Sequence, residues 1–488
     1  ILAQGRSRSA RALVLRIVRD PVHTGWCRIR DGTAPYGGRS HPPGMAARAL
    51  LAATALAATA GALSLESIHG KNDAGHSLEA TVDAAFQEAA LAGCLRVPMS
   101  FDEYVEKYQR TYGRDSAEYR LRSELFRERQ EAVRVHNCKA AAANGPLWTE
   151  RVNHMSDWTP EELTALRGHK SSRSSNAESI TQFPSFLATR GNVFHDREMP
   201  AEFSWANLST IAAPSEDQGD CGSCWAMASS QAMKARAEIK GIPNLFSAEQ
   251  LIACTQNPHK CGGTGGCDGA TAELAFEYVL QKGLTSPDHF VSLKNRVSNP
   301  VQDPKGSCPG SLRSESEIAT RGVVAMDGSE VHLVGTSETE LRGMAIGMRG
   351  WTKLPENKEE PIMRSLMIDG PLYVAVAVGE HWHYYSGGVM TQEGCDPRNV
   401  INHAVTLYAW GVKEKTRIGP VKYWAIKNSW GPAWGEKGTV RLHRRDDEEK
   451  QCGWDINPQE GNGCEGGPKK VWVCGVCGIL YDAVAPHF

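Results

Sequence analysis

The run Gln218-Gly219-Asp220-Cys221-Gly222-Ser223-Cys224-Trp225 constrains this chain more than any other stretch. It leads into Ala226–Ile239, which contains neither Pro nor Gly and is followed by Gly241. That composition predicts a helix with a glycine stop. Cys224 therefore falls where the helix begins. Unpaired backbone N–H groups and the positive end of the helix dipole there favour a thiolate over a thiol. A thiolate of this kind needs a base within reach and a third group to hold that base.

Cysteine usage narrows the setting. The 488 residues include 14 cysteines, too many for a reducing compartment unless metals hold them. Eleven lie from residue 199 onward, and setting Cys224 aside leaves an even number, enough for five disulfides. A second C-x-x-C at Cys474 and Cys477 keeps a four-cysteine zinc module as an alternative. The net charge of −2 gives no basis for a nucleic-acid partner.

Residues 1–44 carry eight Arg, no Lys and two acids, and read as a disordered or extraneous leader, with a transit peptide as the rival. Met45–Arg48 is basic, Ala49–Ala60 is apolar and Ala60-Gly61-Ala62 fits a cleavage site, so 45–62 reads as a secretory signal peptide. It is too short to span a bilayer, and no membrane anchor is expected.

Residues from about 96 to 170 read as mostly helical. Phe101, Tyr104, Val105, Tyr108 and Tyr112 share a face, and Glu118, Arg122, Phe126, Arg129, Val133 and Asn137 form one stripe of a long helix. A Ser-rich, non-periodic stretch over 168–198 reads as a cleavable linker. Ser247 with Gln250 predicts a capped helix ending near Cys254, and Glu273–Lys282 predicts another. Leu372–Val378, His403–Ala409 and Val421–Lys427 read as strands. Helices first and strands later, without βαβ alternation, give an α+β class.

The C-G-S-C-W core resembles the papain-like cysteine proteases of the cathepsin L type. Asn402-His403-Ala404-Val405 and Asn428-Ser429-Trp430-Gly431 with Trp434-Gly435 are similar to that family's later motifs. The 118–137 stripe and Asn153-x-Met155-x-Asp157 are similar to its inhibitory propeptide, with Arg129, Val133, Arg151 and Met155 as departures. The resemblance implies a two-lobed fold, with a helical lobe, a β-barrel-like lobe and the active site in the cleft between them. It implies a signal peptide, a propeptide over 63–198 with its helical inhibitor part at about 98–165, and an enzyme domain over 199–488.

By the same resemblance Cys224 is the nucleophile, His403 its acid–base partner, Asn428 the group that orients His403, and Gln218 an oxyanion-hole donor. Trp430 shields the Asn–His bond, and Gly269, Ala270, Ile401 and Asp482 shape substrate binding. Ala270 stands where the family has Gly, and a positive φ there would be costly. An acidic Asp482 at the floor of the pocket for the substrate's second residue implies tolerance of a basic side chain, unless it points to solvent. The implied disulfides are Cys221–Cys267, Cys254–Cys308 and Cys395–Cys477; Cys261, Cys452, Cys464 and Cys474 leave three pairings open. His403 and Asn428 follow Cys224 by 179 and 204 residues, against roughly 130–150 in the family. A hydrophilic insert at 310–345 accounts for most of the excess.

The expected function is that of a secretory zymogen of a cysteine endopeptidase, extracellular or lysosomal/vacuolar, acting as a monomer on proteins and peptides without a cofactor. Its own propeptide would block the cleft until acid loosens it, Asp157 being the first carboxylate to consider. An exopeptidase of the same fold and a non-catalytic binding or inhibitory protein are the alternatives.

Overall fold

A computed structural model describes residues 79–142, 144–167, 199–242, 246–282, 347–414 and 416–488. The leader, signal peptide, Ser-rich linker, Cys308 and the 310–345 insert lie outside the described residues.

The N-terminal part is built on three helices, α1 (Glu79–Leu95), α2 (Phe101–Lys107) and α3 (Ala117–Ala140). Ser100 closes a capping box with Glu103, which starts α2. Phe101, Tyr104 and Phe126 form a small core, with Tyr108 and Tyr112 against it. A Cys94–Cys138 disulfide ties α1 to α3, a bridge the sequence reading did not assign.

The stripe expected on α3 is largely buried, with Arg122, Phe126, Val133 and Asn137 inside and Glu118 exposed but ion-paired to Arg122 at 3.5 Å. Its polar members act as clamps. Asn137 Nδ2 donates to Glu150 O (2.8 Å), and its Oδ1 accepts from Glu150 N (2.9 Å). Those bonds hold a short strand, β1 (Trp148–Glu150). Arg122 donates to Asp157 O (3.0 Å) and pairs with Glu162, which also closes a capping box with Thr159 at α4 (Pro160–Ala165). Asp157 is fully buried and accepts from Tyr104 Oη, Arg110 Nη2 and Tyr112 Oη, each at 2.9 Å, and from Arg110 Nε at 3.1 Å.

After β2 (Phe203–Ser204) and a single helical turn, α5 (Ser209–Ala212), comes the helix expected after the cysteine pair, α6 (Cys224–Ile239), stopped at Gly241 with φ +69°. Two more helices follow, α7 (Ala248–Cys254) and α8 (Ala272–Lys282). Ser247 Oγ accepts from Gln250 N at 3.2 Å, as its spacing predicts. Beyond the insert lie β3 (Gly350–Lys353), α9 (Glu359–Asp369), β4 (Leu372–Val376), β5 (Tyr385–Met390), β6 (His403–Lys413), β7 (Val421–Lys427) and β8 (Thr439–His443). The chain ends in β9 (Cys452–Asp455), β10 (Val471–Cys474) and β11 (Asp482–His487).

The α+β architecture expected from the sequence is the one observed. The strands run in the order β1-β5-β8-β7-β6-β4-β11-β3, with β2 on β6, so the sheet is an open path with two ends rather than a closed barrel. β5 and β8 pair in parallel, while β1 adds antiparallel to β5, Trp148 opposite Gly388. The helical N-terminal part thus completes a sheet edge of the following domain.

The strand period of two builds two cores. On β4, Val374 and Val376 face the strand-rich core with Trp382, Trp424 and Trp430, whereas Tyr373 and Ala375 face a second core around α6 with Trp225, Phe246 and Phe276. Buried Arg236 fastens α6 to the sheet. It donates to Pro371 O (2.7 Å), Gly370 O (3.0 Å), Pro486 O (2.9 Å) and Ser365 Oγ (3.0 Å).

Candidate active site

Cys224 opens α6 and His403 opens β6. The two lie where the cores meet, and both line one small cavity with Ala270, Tyr373, Ile401 and Arg167. Cys224 is the free cysteine among the described residues. Its neighbour Cys221 is tied to Cys267, Cys477 to Cys395 and Cys474 to Cys452, so these cysteines of the two C-x-x-C pairs hold no metal. Cys261 pairs with Cys464, which closes the question left open by four unassigned cysteines. Cys254 is disulfide-bonded too.

His403 Nε2 lies 2.8 Å from Asn428 Oδ1, at the end of β7. Asn428 Oδ1 is fixed from its other side by Ser429 N at 2.8 Å. Because the amide oxygen only accepts, Nε2 carries the ring proton in the neutral state and Nδ1 is left bare. His403 Nδ1 is buried without a partner, in the cavity it shares with the thiol. The Trp430 ring lies over His403 with centroids 4.8 Å apart, and His383 stacks on the same indole at 5.4 Å.

Gln218 is buried, and its Oε1 accepts from Ser429 Oγ at 2.6 Å. Its Nε2 donates to Cys221 O (2.8 Å) and to Leu166 O (3.0 Å). Leu166 belongs to the N-terminal part, which therefore enters the cavity at the point where Gln218 presents its donor. The next residue, Arg167, lines that cavity.

Burial pushes the Cys224 thiol up to about 11, opposed by backbone hydrogen bonding at Ala404, Trp225 and Cys224 itself. Burial pushes the His403 imidazole down to about 4; the Asn428 bond opposes this and the Arg167 charge adds to it. Both groups are therefore neutral near pH 7 in this state.

A family model described as papain family cysteine protease matches residues 199–461, over half of the chain. The chain belongs to the papain family of cysteine proteases. A second model, described as cathepsin propeptide inhibitor domain (I29), matches residues 101–163. Cathepsin K of Gallus gallus is 29% identical over 320 residues, covering 64% of this chain and 78% of its own. A cathepsin L-like proteinase of Phaedon cochleariae is 27% identical over 352 residues, covering 72% and 89%. Among solved structures, digestive procathepsin L2 of Tenebrio molitor superposes with a TM-score of 0.53 at 23% identity, over 80% of this chain and 98% of that one. A recombinant stem bromelain precursor gives 0.51 at 24%, over 80% and 97%. At these identities the superpositions speak to the fold, which is that of papain-family precursors.

This papain-family protease carries a cathepsin-type propeptide whose Leu166 and Arg167 reach the cavity. Several residues that shape the site had no signal of their own in the sequence. Ser429 sits inside the N-S-W-G run, and its hydroxyl donates to Gln218 Oε1. Arg167 follows the last propeptide helix without any motif.

Two substrate-side expectations change in detail. Ala270 is not among the residues with positive φ; that conformation falls on Gly269, at φ +96°, so the Ala270 methyl lines the cavity without backbone strain. Asp482 does not face solvent. Its side chain is 1% exposed, its Oδ1 lies 3.1 Å from Lys353 Nζ and its Oδ2 accepts from Asn462 Nδ2 at 2.7 Å. Asn462 lines the cavity, so Asp482 stands one residue behind the wall. No helix among the described residues is long and apolar enough to cross a membrane.

Proposed function

We propose that the chain is the zymogen of a cysteine endopeptidase whose chemistry runs through Cys224, His403 and Asn428, with Gln218 in the oxyanion hole. The observation that carries this reading is the 2.8 Å Asn428–His403 bond behind a free, buried Cys224 at a helix N-terminus. With Nε2 held by Asn428, the free Nδ1 is the ring atom available to the thiol. Removal of the propeptide hydrates both groups and takes Arg167 away, which favours transfer of the thiol proton to Nδ1.

In the first step Cys224 Sγ forms a bond to the substrate carbonyl carbon, and the oxygen takes the negative charge. Gln218 Nε2, relieved of Leu166 O, and backbone N–H groups at the start of α6 donate to that oxygen. His403 Nδ1–H then gives its proton to the departing amine as the C–N bond breaks, leaving a thioester. Water attacks the thioester while Nδ1 takes its proton, and the thiolate leaves the acid product. Asn428 holds the ring throughout without adding a charge.

Leu166 and Arg167 of the propeptide reach Gln218 and the cavity that Cys224 lines. The cysteine-rich composition and the disulfides support a secretory or lysosomal route.

The test is hydrolysis of peptides blocked at both ends. Internal cleavage by the processed enzyme, lowered at least about 10³-fold in Cys224→Ser and in His403→Ala, supports the reading. Cleavage restricted to peptides with a free terminus identifies an exopeptidase, and unchanged activity in Cys224→Ser overturns the chemistry.

A further inference from the structure

Away from the cleft, three side chains meet at the seam between propeptide and enzyme. His136 comes from α3 and Glu150 from β1, both in the propeptide, while His381 comes from the turn over Glu380–Tyr384 in the enzyme. One ligand atom from each lies within 4.8 Å of the others.

The contacts at the cluster place a positive charge beside Glu150, which a proton on His381 or a metal ion can supply. His136 Nε2 lies 3.1 Å from the carbonyl oxygen of Trp148, an acceptor, so Nε2 carries a proton. In the neutral ring Nδ1 is then a bare lone pair. It faces Glu150 Oε1 at 3.4 Å, with the two side chains only 6% and 2% exposed. His381 Nδ1 is hydrogen-bonded to the same oxygen at 2.6 Å. A buried carboxylate facing an imidazole lone pair is repulsive unless a positive charge lies between them.

A metal ion bound after small side-chain adjustments would also supply that charge. Four-coordinate zinc with bonds of about 2.0–2.1 Å sets its ligand atoms roughly 3.3 Å apart. The His136–Glu150 spacing already matches. His381 is 45% exposed and free to draw back by under about 1 Å. The bond from His136 Nε2 to Trp148 O is the outer contact that metal-bound histidines commonly make. The Trp148 indole packs on His136 at 4.8 Å.

We propose that His136, Glu150 and His381 form a site for a divalent transition metal, with the preferences of Zn²⁺, that pins the propeptide to the enzyme. Two ligands leave with the propeptide and one stays behind, so the site exists only in the zymogen. Bound metal stabilises that state by mass action and slows maturation. The site does not depend on the chemistry assigned to Cys224.

The test uses the full chain carrying Cys224→Ala, which removes the free thiol and any self-processing. Titration with Zn²⁺ at neutral pH should give one site, and Co²⁺ should give the visible bands of a tetrahedral centre. Each of Glu150→Gln and His381→Ala should weaken binding tenfold or more, and added Zn²⁺ should raise Tm in the parent but not in these variants. His381 is half-exposed, so His381→Ala remains a fair test if Glu150→Gln does not fold. Absence of Zn²⁺ binding, or binding that both folded variants retain, overturns the proposal.

Discussion

Gln218 Nε2 donates to the backbone carbonyl of Leu166 at 3.0 Å, so the donor proposed for the oxyanion hole is already spent on the propeptide. On the proposed mechanism the same amide serves inhibition and catalysis. Gln218→Ala should lower kcat of the processed enzyme about 10²–10³-fold with a smaller change in KM. It should also weaken inhibition by added free propeptide. Steady-state kinetics with both measurements checks this; a loss confined to KM argues against the oxyanion role.

The pH response of the zymogen follows from His403. Its value in the propeptide-bound state lies near 4, below the ordinary value of 6.5, because burial disfavours the charged ring and the Arg167 charge of the propeptide adds to it. A lowered value means the neutral ring is favoured when the propeptide is bound. That stabilisation is complete above about pH 6.5 and is lost as pH falls through 4, on the order of 3 kcal/mol in all. Propeptide affinity for the separated enzyme should therefore drop steeply over that interval. Inhibition constants measured from pH 4 to 7 test it, and in a His403→Ala background the slope should be reduced.

Asp157 anchors the propeptide's own fold through four hydrogen bonds, all from its residues Tyr104, Arg110 and Tyr112. Asp157→Ala leaves the Arg110 guanidinium and two phenols without their acceptor. A loss of about 3–5 kcal/mol is expected for breaking such a buried pair. The readout is the appearance of processed enzyme at pH 7, where the parent should remain intact. Parent-like retention of the propeptide contradicts the anchoring role.

How much of this was readable in advance depended on range. The α6 boundaries, the Ser247 cap and the α3 stripe are local, and the sequence carries them in propensity and period. β1 has three residues, too few for a pattern, and becomes a strand through its pairing with β5 and its clamp from Asn137. Arg167 and Ser429 acquire their roles only from what the fold sets beside them. The Cys94–Cys138 bridge is invisible to spacing, which fixes no pairing. The open sheet differs from a barrel because the path ends at β3 and, with the propeptide bound, at β1.

We propose that Asp482 tunes specificity at the substrate's second residue. Lys353 Nζ lies 3.1 Å from it, 3.4 Å from Glu273 and 3.8 Å from Glu356, so three carboxylates share one ammonium. The cluster leaves negative potential behind Asn462. Asp482→Asn, which keeps the shape, should lower the Arg-to-Leu ratio of kcat/KM severalfold. An unchanged ratio removes Asp482 from specificity.

The most direct measurement is covalent labelling of the thiol with an epoxide directed at papain-family enzymes, before and after removal of the propeptide, with the modified residue located by mass spectrometry. One equivalent on Cys224 after processing, with little before it, is the expected result. Label on another residue, or equal labelling of Cys224 in both forms, would contradict the account of a thiol paired with His403 and silenced by the propeptide.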